Sequence, residues 1–258
     1  MIYLRLLNGM IKKQARLPIS SYPELVETVK LDYRRRIQKN DASNSTIKYQ
    51  DCDVWYAGDQ INLWSYWQGY QISNSLGKEP IDILLVGQDW GTPTDSHKGI
   101  QKIKNGLMAY NETSTTDRNL KELFEVLGIH IDSLNPGKRI FFTNYSLGYR
   151  SGSETGGMTK SLMAQDTPAF KALVRILKPK YIICLGRIVY EMVTGTTTKA
   201  YLSELKEGRC LMFDLGGIRV FCVPHPGARG LNNLGQGNMN ANKELMKQIW
   251  SDMYQKMV

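Results

Sequence analysis

The chain has 258 residues, of which 42% are hydrophobic and 22% are charged, which excludes disordered and fibrous classes and favours a folded domain. Its 33 Lys and Arg residues outnumber 24 Asp and Glu residues, and the net charge of +9 favours a polyanionic partner such as nucleic acid. No apolar run is long enough to span a membrane and the start lacks a signal-peptide pattern, so we expect a cytoplasmic protein with no membrane partner.

The N-terminal part of the chain is predicted to be a mostly helical extension, residues 1–75, of a single domain whose α/β core covers residues 76–258. Ser21 and Glu24 form a capping-box pattern that predicts a helix through about Gln38. Three arginines, 34–36, lie near the end of that helix. Cations there complement the helix dipole, an interpretation that we prefer to a phosphate-binding role.

Four apolar runs predict the strands of one sheet, and helical patterns lie between and after them. The predicted strands are 83–86, 139–144, 181–185 and 218–223, and the predicted helices of the core are 119–127, 167–177 and 240–257. Strands that alternate with helices imply right-handed crossovers. We therefore expect an α/β fold with three α/β/α layers and a central, mostly parallel, four-stranded sheet.

The four cysteines are widely spaced and form no C-x-x-C pair, unlike the ligand sets of zinc sites and disulfide frameworks. Cys184 and Cys222 lie within apolar strand-like runs. Both are predicted to be small buried core residues.

Polar residues follow three of the predicted strands where each apolar run stops. Gly87 allows a tight turn or a close approach to a ligand, and Gln88 and Asp89 come directly after it. Asn144 ends the second strand and His225 follows the fourth. Since ligand sites of open α/β sheets lie at the carboxyl ends of strands, we expect these side chains to share one edge of the sheet.

The segments 87–89, 142–144 and 225–227 together resemble motifs of the uracil-DNA glycosylase superfamily. Gly-Gln-Asp is similar to the family's water-activating motif, Phe-Thr-Asn to the strand that ends in a uracil-reading asparagine, and His-Pro-Gly to its His-Pro-Ser segment. Their order and spacing agree with the family over about residues 80–255. The resemblance implies a DNA glycosylase that removes uracil or a related damaged base from DNA in base excision repair.

The chemistry of that reaction explains why these residue types are wanted. A fixed amide at Asn144 accepts from uracil N3–H and donates to O4, whereas cytosine presents the reverse polarity. Asp89 is expected to orient water and stabilise positive charge on the sugar, and His225 to donate to the departing base. The resemblance implies a neutral histidine. The reaction requires no metal or other cofactor, and we expect a monomer. Gly87 and Gln88 complete the substrate-binding set on this side.

Two departures from the family pattern concern the base pocket. Trp90 and Gly91 follow Asp89, where the best-known branch has Pro and a Tyr that blocks the 5-methyl group of thymine. Trp90 is a candidate wall for the base, and Gly91 leaves room at C5. Tyr110 is the candidate for the aromatic residue that the family places under the uracil.

A third departure concerns the DNA contacts after His225, where Pro226, Gly227 and Arg229 stand in place of hydroxyls and a leucine wedge. With no hydroxyl at Gly227, its backbone N–H is expected to donate to a phosphate. Arg229 is expected to insert into the vacated stack or to contact a phosphate.

Two alternatives remain open at the level of sequence. The first is a nucleic-acid-binding protein of the same fold that has lost its chemistry, which would show salt-dependent affinity for DNA without base release. The second is a hydrolase of a small nucleoside or another nucleobase-containing ligand.

Overall fold

A computed structural model describes residues 19–39, 81–89, 114–131, 139–147, 158–235 and 237–258. Their helices and strands are, in chain order, α1 (Tyr22–Lys39), β1 (Ile83–Gly87), α2 (Thr115–Val126), β2 (Ile140–Asn144), α3 (Lys160–Ala164), α4 (Thr167–Leu177), β3 (Tyr181–Leu185), α5 (Arg187–Thr194), α6 (Tyr201–Lys206), β4 (Leu211–Leu215), β5 (Ile218–Val223), α7 (Ala228–Asn232) and α8 (Met239–Met257). None of the helices in these ranges has the length and apolar character needed to cross a membrane.

The strands form one sheet in the order β2-β1-β3-β5-β4. The four predicted strands are confirmed and run parallel to one another. The predicted number of four is wrong, because β4 adds an antiparallel edge strand beside β5. Its alternation of half-buried and exposed residues, followed by a two-glycine turn at Gly216 and Gly217 with positive φ at both, is the signal of a hairpin that the sequence interpretation missed.

Successive residues of the buried strands feed two separate cores, which makes the fold an α/β/α sandwich. In β1, Leu84 and Val86 pack with apolar residues of α1, α4 and α5. Ile83 and Leu85 face the other way and pack with α2 and α8. This period of two, in strands buried on both sides, is the reason that the strands read as continuous apolar runs.

Capping residues explain where the core helices begin and end. Helix α4 begins at the predicted Thr167, has a proline in its first turn, and ends where Lys178 adopts left-handed φ and ψ of 48° and 52°. Helix α2 starts four residues before the predicted Asn119, because the Ser114 hydroxyl accepts the Asp117 N–H at 3.3 Å.

Helix α1 confirms the helix predicted near the start of the chain. Ser21 Oγ accepts the N–H of Glu24 at 3.4 Å, and the Glu24 carboxylate accepts the N–H of Ser20 at 3.0 Å. Its inner face is fully buried in the first core, and Tyr22 packs edge-on against Phe141 at 6.1 Å between ring centroids. The rest of the predicted N-terminal extension lies outside the described residues.

The cysteines in the described ranges are buried, free thiols. Cys184 and Cys222 are register partners on β3 and β5 and are fully enclosed in the first core, as predicted. Burial raises the pKa of both thiols well above the ordinary range, so they remain protonated. Their role is packing.

Candidate active site at the strand ends

The carboxyl ends of β1 and β2 are joined beyond the last strand residues. Gly87 and Asn144 are register partners, and the next two backbone N–H groups, of Tyr145 and Ser146, donate to the carbonyls of Gly87 and Gln88 at 2.9 and 3.0 Å. The two polar segments predicted at separate strand ends are therefore held together by backbone hydrogen bonds.

Asn144 is the central polar group of this edge. Its residue is only 8% exposed, and within the described part of the chain its side-chain amide makes no hydrogen bond. The amide nitrogen and oxygen are not among the fully buried side-chain atoms of the described residues that lack a partner, so the amide can hydrogen-bond to water or to a ligand at this edge. The amide has the donor and the acceptor that a nucleobase edge would satisfy.

Gly87 is required by the position of that amide. A Cβ atom at residue 87 would lie 2.1 Å from Asn144 Oδ1, far inside van der Waals contact. The group that approaches Gly87 is the side chain of the neighbouring strand, whereas the close approach of a ligand stays a prediction. Only glycine accommodates Asn144 in this position.

Asp89 lies at the same edge and close to His225. Gln88 and Asp89 are both half-buried, and Gln88 Nε2 lies 3.4 Å from Asp89 Oδ2, a long hydrogen bond. Desolvation lowers the pKa of His225, and the carboxylate of Asp89 acts electrostatically on the imidazole in the opposite direction. The structure thus brings together the acid and the imidazole that the sequence places 136 residues apart.

His225 is held as a neutral donor. Gly227 N–H donates to its Nδ1 at 3.0 Å, which places the proton of the neutral ring on Nε2. Part of the residue is exposed, yet the surrounding protein withdraws enough water that desolvation lowers the pKa of His225 despite the opposing effect of Asp89. Protonation of Nδ1 would also cost the Gly227 hydrogen bond. Both effects favour the neutral ring.

The Gly227 N–H is consequently committed to His225 and is not the phosphate donor that the sequence interpretation expected. Residue 227 also has little room for a side chain, because a Cβ there would lie 3.0 Å from both His225 Nδ1 and Thr116 Oγ1. Gly230 has a similar constraint, since its Cβ would lie 1.8 Å from the His225 carbonyl oxygen. Both positions lack room for a side chain beside the loop that carries the imidazole.

A buried amide on α2 supports the same loop. Asn119 Nδ2 donates to the carbonyl oxygen of Pro226 at 2.6 Å, and Asn119 is 5% exposed. The sequence interpretation missed this role, because it treated Asn119 only as the first residue of a helix. The sequence signal for this role was that Asn119, an uncharged polar residue, lies on the apolar face of the helix.

The remaining predicted site residues differ in where they lie. Pro226 is buried and Arg229 is exposed on α7, next to the His225 loop. Trp90, Gly91 and Tyr110 lie outside the described residues. Among the described residues, no group of three or more His, Cys, Asp or Glu side chains is arranged to hold a metal ion.

The fold and the site together define an α/β protein with a mostly parallel sheet whose carboxyl edge carries a buried amide, a carboxylate and a neutral imidazole. No protein-family model matches the chain. No curated protein sequence matches it either.

Proposed function

We propose that the chain is a DNA glycosylase that hydrolyses the N-glycosidic bond of a flipped uracil or a related damaged base. The observation that carries the proposal is the position of the Asn144 side chain over Gly87, two residues before Asp89, whose carboxylate acts electrostatically on His225. The motif resemblance at residues 87–89, 142–144 and 225–227 supports the same reading.

Asn144 would select the base. Its carboxamide would accept from N3–H and donate to O4 of uracil, which are the donor and the acceptor that an amide can pair with. Cytosine would place donor against donor and acceptor against acceptor. A site built to hydrogen-bond one polarity rejects the other strongly, because buried groups are left unpaired.

Asp89 and His225 would act on opposite charges of the transition state. As the bond between C1′ and the base nitrogen breaks, its electron pair leaves with the base and the sugar becomes positive. The Asp89 carboxylate would stabilise that positive charge and orient the water that adds to C1′. The Nε2–H of neutral His225 would donate to the developing negative charge on the base oxygen O2.

The DNA partner follows from charge and access. A base inside a duplex must be flipped before its glycosidic bond can reach such an edge, at a cost that is smallest for mispaired or single-stranded bases. The net charge of +9 favours binding to the phosphate backbone. Exposed Arg229 on α7 lies two residues beyond the His225–Gly227 hydrogen bond, where it can reach DNA that enters the site.

The test is base release from labelled oligonucleotides that carry uracil, thymine mispairs, hypoxanthine or 5-substituted uracils, single- and double-stranded. Asp89→Asn should abolish release without loss of folding. The matched control is Asp214→Asn on the exposed edge strand β4, which keeps the oxygen that accepts the Gly217 N–H and should be as active as the wild type. Binding of DNA without release of any base would refute the glycosylase and favour a nucleic-acid-binding protein.

A further inference from the structure

The backbone just after Asn144 is held by three successive N–H groups. The first two, of Tyr145 and Ser146, donate to the end of β1. The third, of Leu147, donates to Asp166 Oδ2 at 3.1 Å and lies 3.2 Å from the hydroxyl of Tyr33. The segment that carries the base-reading amide is therefore fixed on one side by the sheet and on the other by a carboxylate.

Asp166 is a buried carboxylate whose charge depends on helix α1. The residue is 2% exposed. Arg36 Nη1 donates to its Oδ1 at 2.9 Å, and the Tyr33 hydroxyl donates to its Oδ2 in a short hydrogen bond. Burial raises the pKa of Asp166, whereas Arg36, Tyr33 and the Leu147 N–H act in the opposite direction by stabilising the ionised form.

Arg36 has further partners besides Asp166. Its guanidinium pairs with Asp32 one turn earlier, donates to the carbonyl of Gln165 at 3.1 Å, and lies over the ring of Tyr33 at 4.5 Å. A planar, always charged group with several fixed donors suits such a buried pair better than lysine would. One of the three consecutive arginines thus has a specific partner 130 residues away.

We infer that Tyr33 and Arg36 act through Asp166 as positioning residues for Asn144, which makes the N-terminal helix a working part of the base-reading site. The inference rests on the proposed function, because it takes base reading as the task of Asn144. Apolar packing of α1 already anchors the helix, since Leu25, Val26 and Val29 are at most 3% exposed. The polar contacts add a directed link from α1 to the backbone that follows Asn144.

The test compares Arg36→Gln with Arg35→Gln, an exposed neighbour on the same helix that serves as the matched control. Tyr33→Phe is the second variant, which tests the same link if loss of Arg36 prevents folding. It removes only the hydroxyl and keeps the buried ring in place. The first readout is hydrogen exchange of the amides of residues 145–147, with those of β3 as the internal reference.

We expect exchange at residues 145–147 to become about tenfold faster in Arg36→Gln and Tyr33→Phe, with β3 unchanged. The second readout is competitive inhibition of base release by free uracil, whose inhibition constant does not depend on how much protein is folded. That constant should rise about tenfold, since misplacing a reading group weakens binding, while DNA affinity at low salt stays the same. Arg35→Gln should match the wild type in both readouts.

Wild-type exchange at residues 145–147 in both variants, or faster exchange in all strands together, would overturn the inference. So would altered exchange with an unchanged inhibition constant for uracil. A wild-type protein that neither releases bases nor binds uracil would refute the proposed function and the base-reading role with it. The exchange measurements would then still decide separately whether α1 orders the segment after Asn144.

Discussion

Gly87→Ala is the sharpest perturbation of the site, because it adds one methyl group at a position where the structure leaves no room. The new Cβ would lie 2.1 Å from Asn144 Oδ1, whereas real Cβ atoms essentially never come closer than 3.0 Å to another heavy atom. The amide must therefore move by about 1 Å or rotate away. Gly87 does not adopt positive φ, so alanine imposes no backbone strain of its own.

The expected cost falls on catalysis and leaves stability nearly unchanged. A misplacement of about 1 Å in a group that positions substrate costs about 100-fold in rate. That factor corresponds to about 2.7 kcal/mol of transition-state stabilisation. Replacing glycine by alanine also restricts the unfolded chain, which stabilises the fold by about 0.4–1 kcal/mol and offsets part of the local crowding.

The assay is kcat/KM for uracil release by the wild type, Gly87→Ala, Asn144→Ala and the double variant, with thermal unfolding of each. If Gly87 acts only by making room for Asn144, the double variant should be no worse than Asn144→Ala alone, as in any fully coupled pair. Wild-type kcat/KM in Gly87→Ala would refute the reasoning. So would an additive loss in the double variant.

Three further outcomes test other parts of the site. Desolvation lowers the pKa of His225 below the ordinary value of about 6.5, so the neutral donor should persist at neutral pH. In pH–rate profiles, kcat/KM should fall only as the pH drops through that lowered pKa. The His225→Gln variant should lose this decrease at acidic pH. Asn119→Ala removes the 2.6 Å hydrogen bond to Pro226 and should lower kcat about tenfold with little change in DNA affinity. Single-turnover kinetics and a DNA titration measure these two quantities. Equal losses in kcat and in DNA affinity would contradict a role in holding the loop. Arg229→Gln should weaken binding to DNA of any sequence and reduce the salt slope by about 1, measured by fluorescence titration; an unchanged slope would show that Arg229 does not contact phosphate.

The strands and their order of appearance were readable from the sequence for a physical reason. Parallel strands buried on both faces need apolar residues without interruption, so β1, β2, β3 and β5 appear as short apolar runs that stop where a polar residue begins. Strand β4 was not predicted, because an edge strand needs only one half-buried face and Asp214 interrupts its apolar pattern.

The support of the site was less readable, because its partners are distant along the chain. Asn119 was identified as part of a helix but not as the anchor of the loop 107 residues later. Arg36 was assigned a local role at the end of its own helix, since nothing in a sequence links it to Asp166. Hydrogen bonds between side chains and distant backbone groups follow no period along the chain, so no sequence pattern predicts them.

The sequence by itself determined the α/β class and the strand ends at Gly87–Asp89, Asn144 and His225, because these depend on local patterns of apolar and polar residues. Only the tertiary structure decided that Asn144 lies over Gly87 and that the Gly227 N–H donates to His225 Nδ1. The same is true of the buried carboxylate by which α1 reaches the strand end. These contacts depend on which segments the fold packs together, and the separation of two residues along the chain does not indicate that.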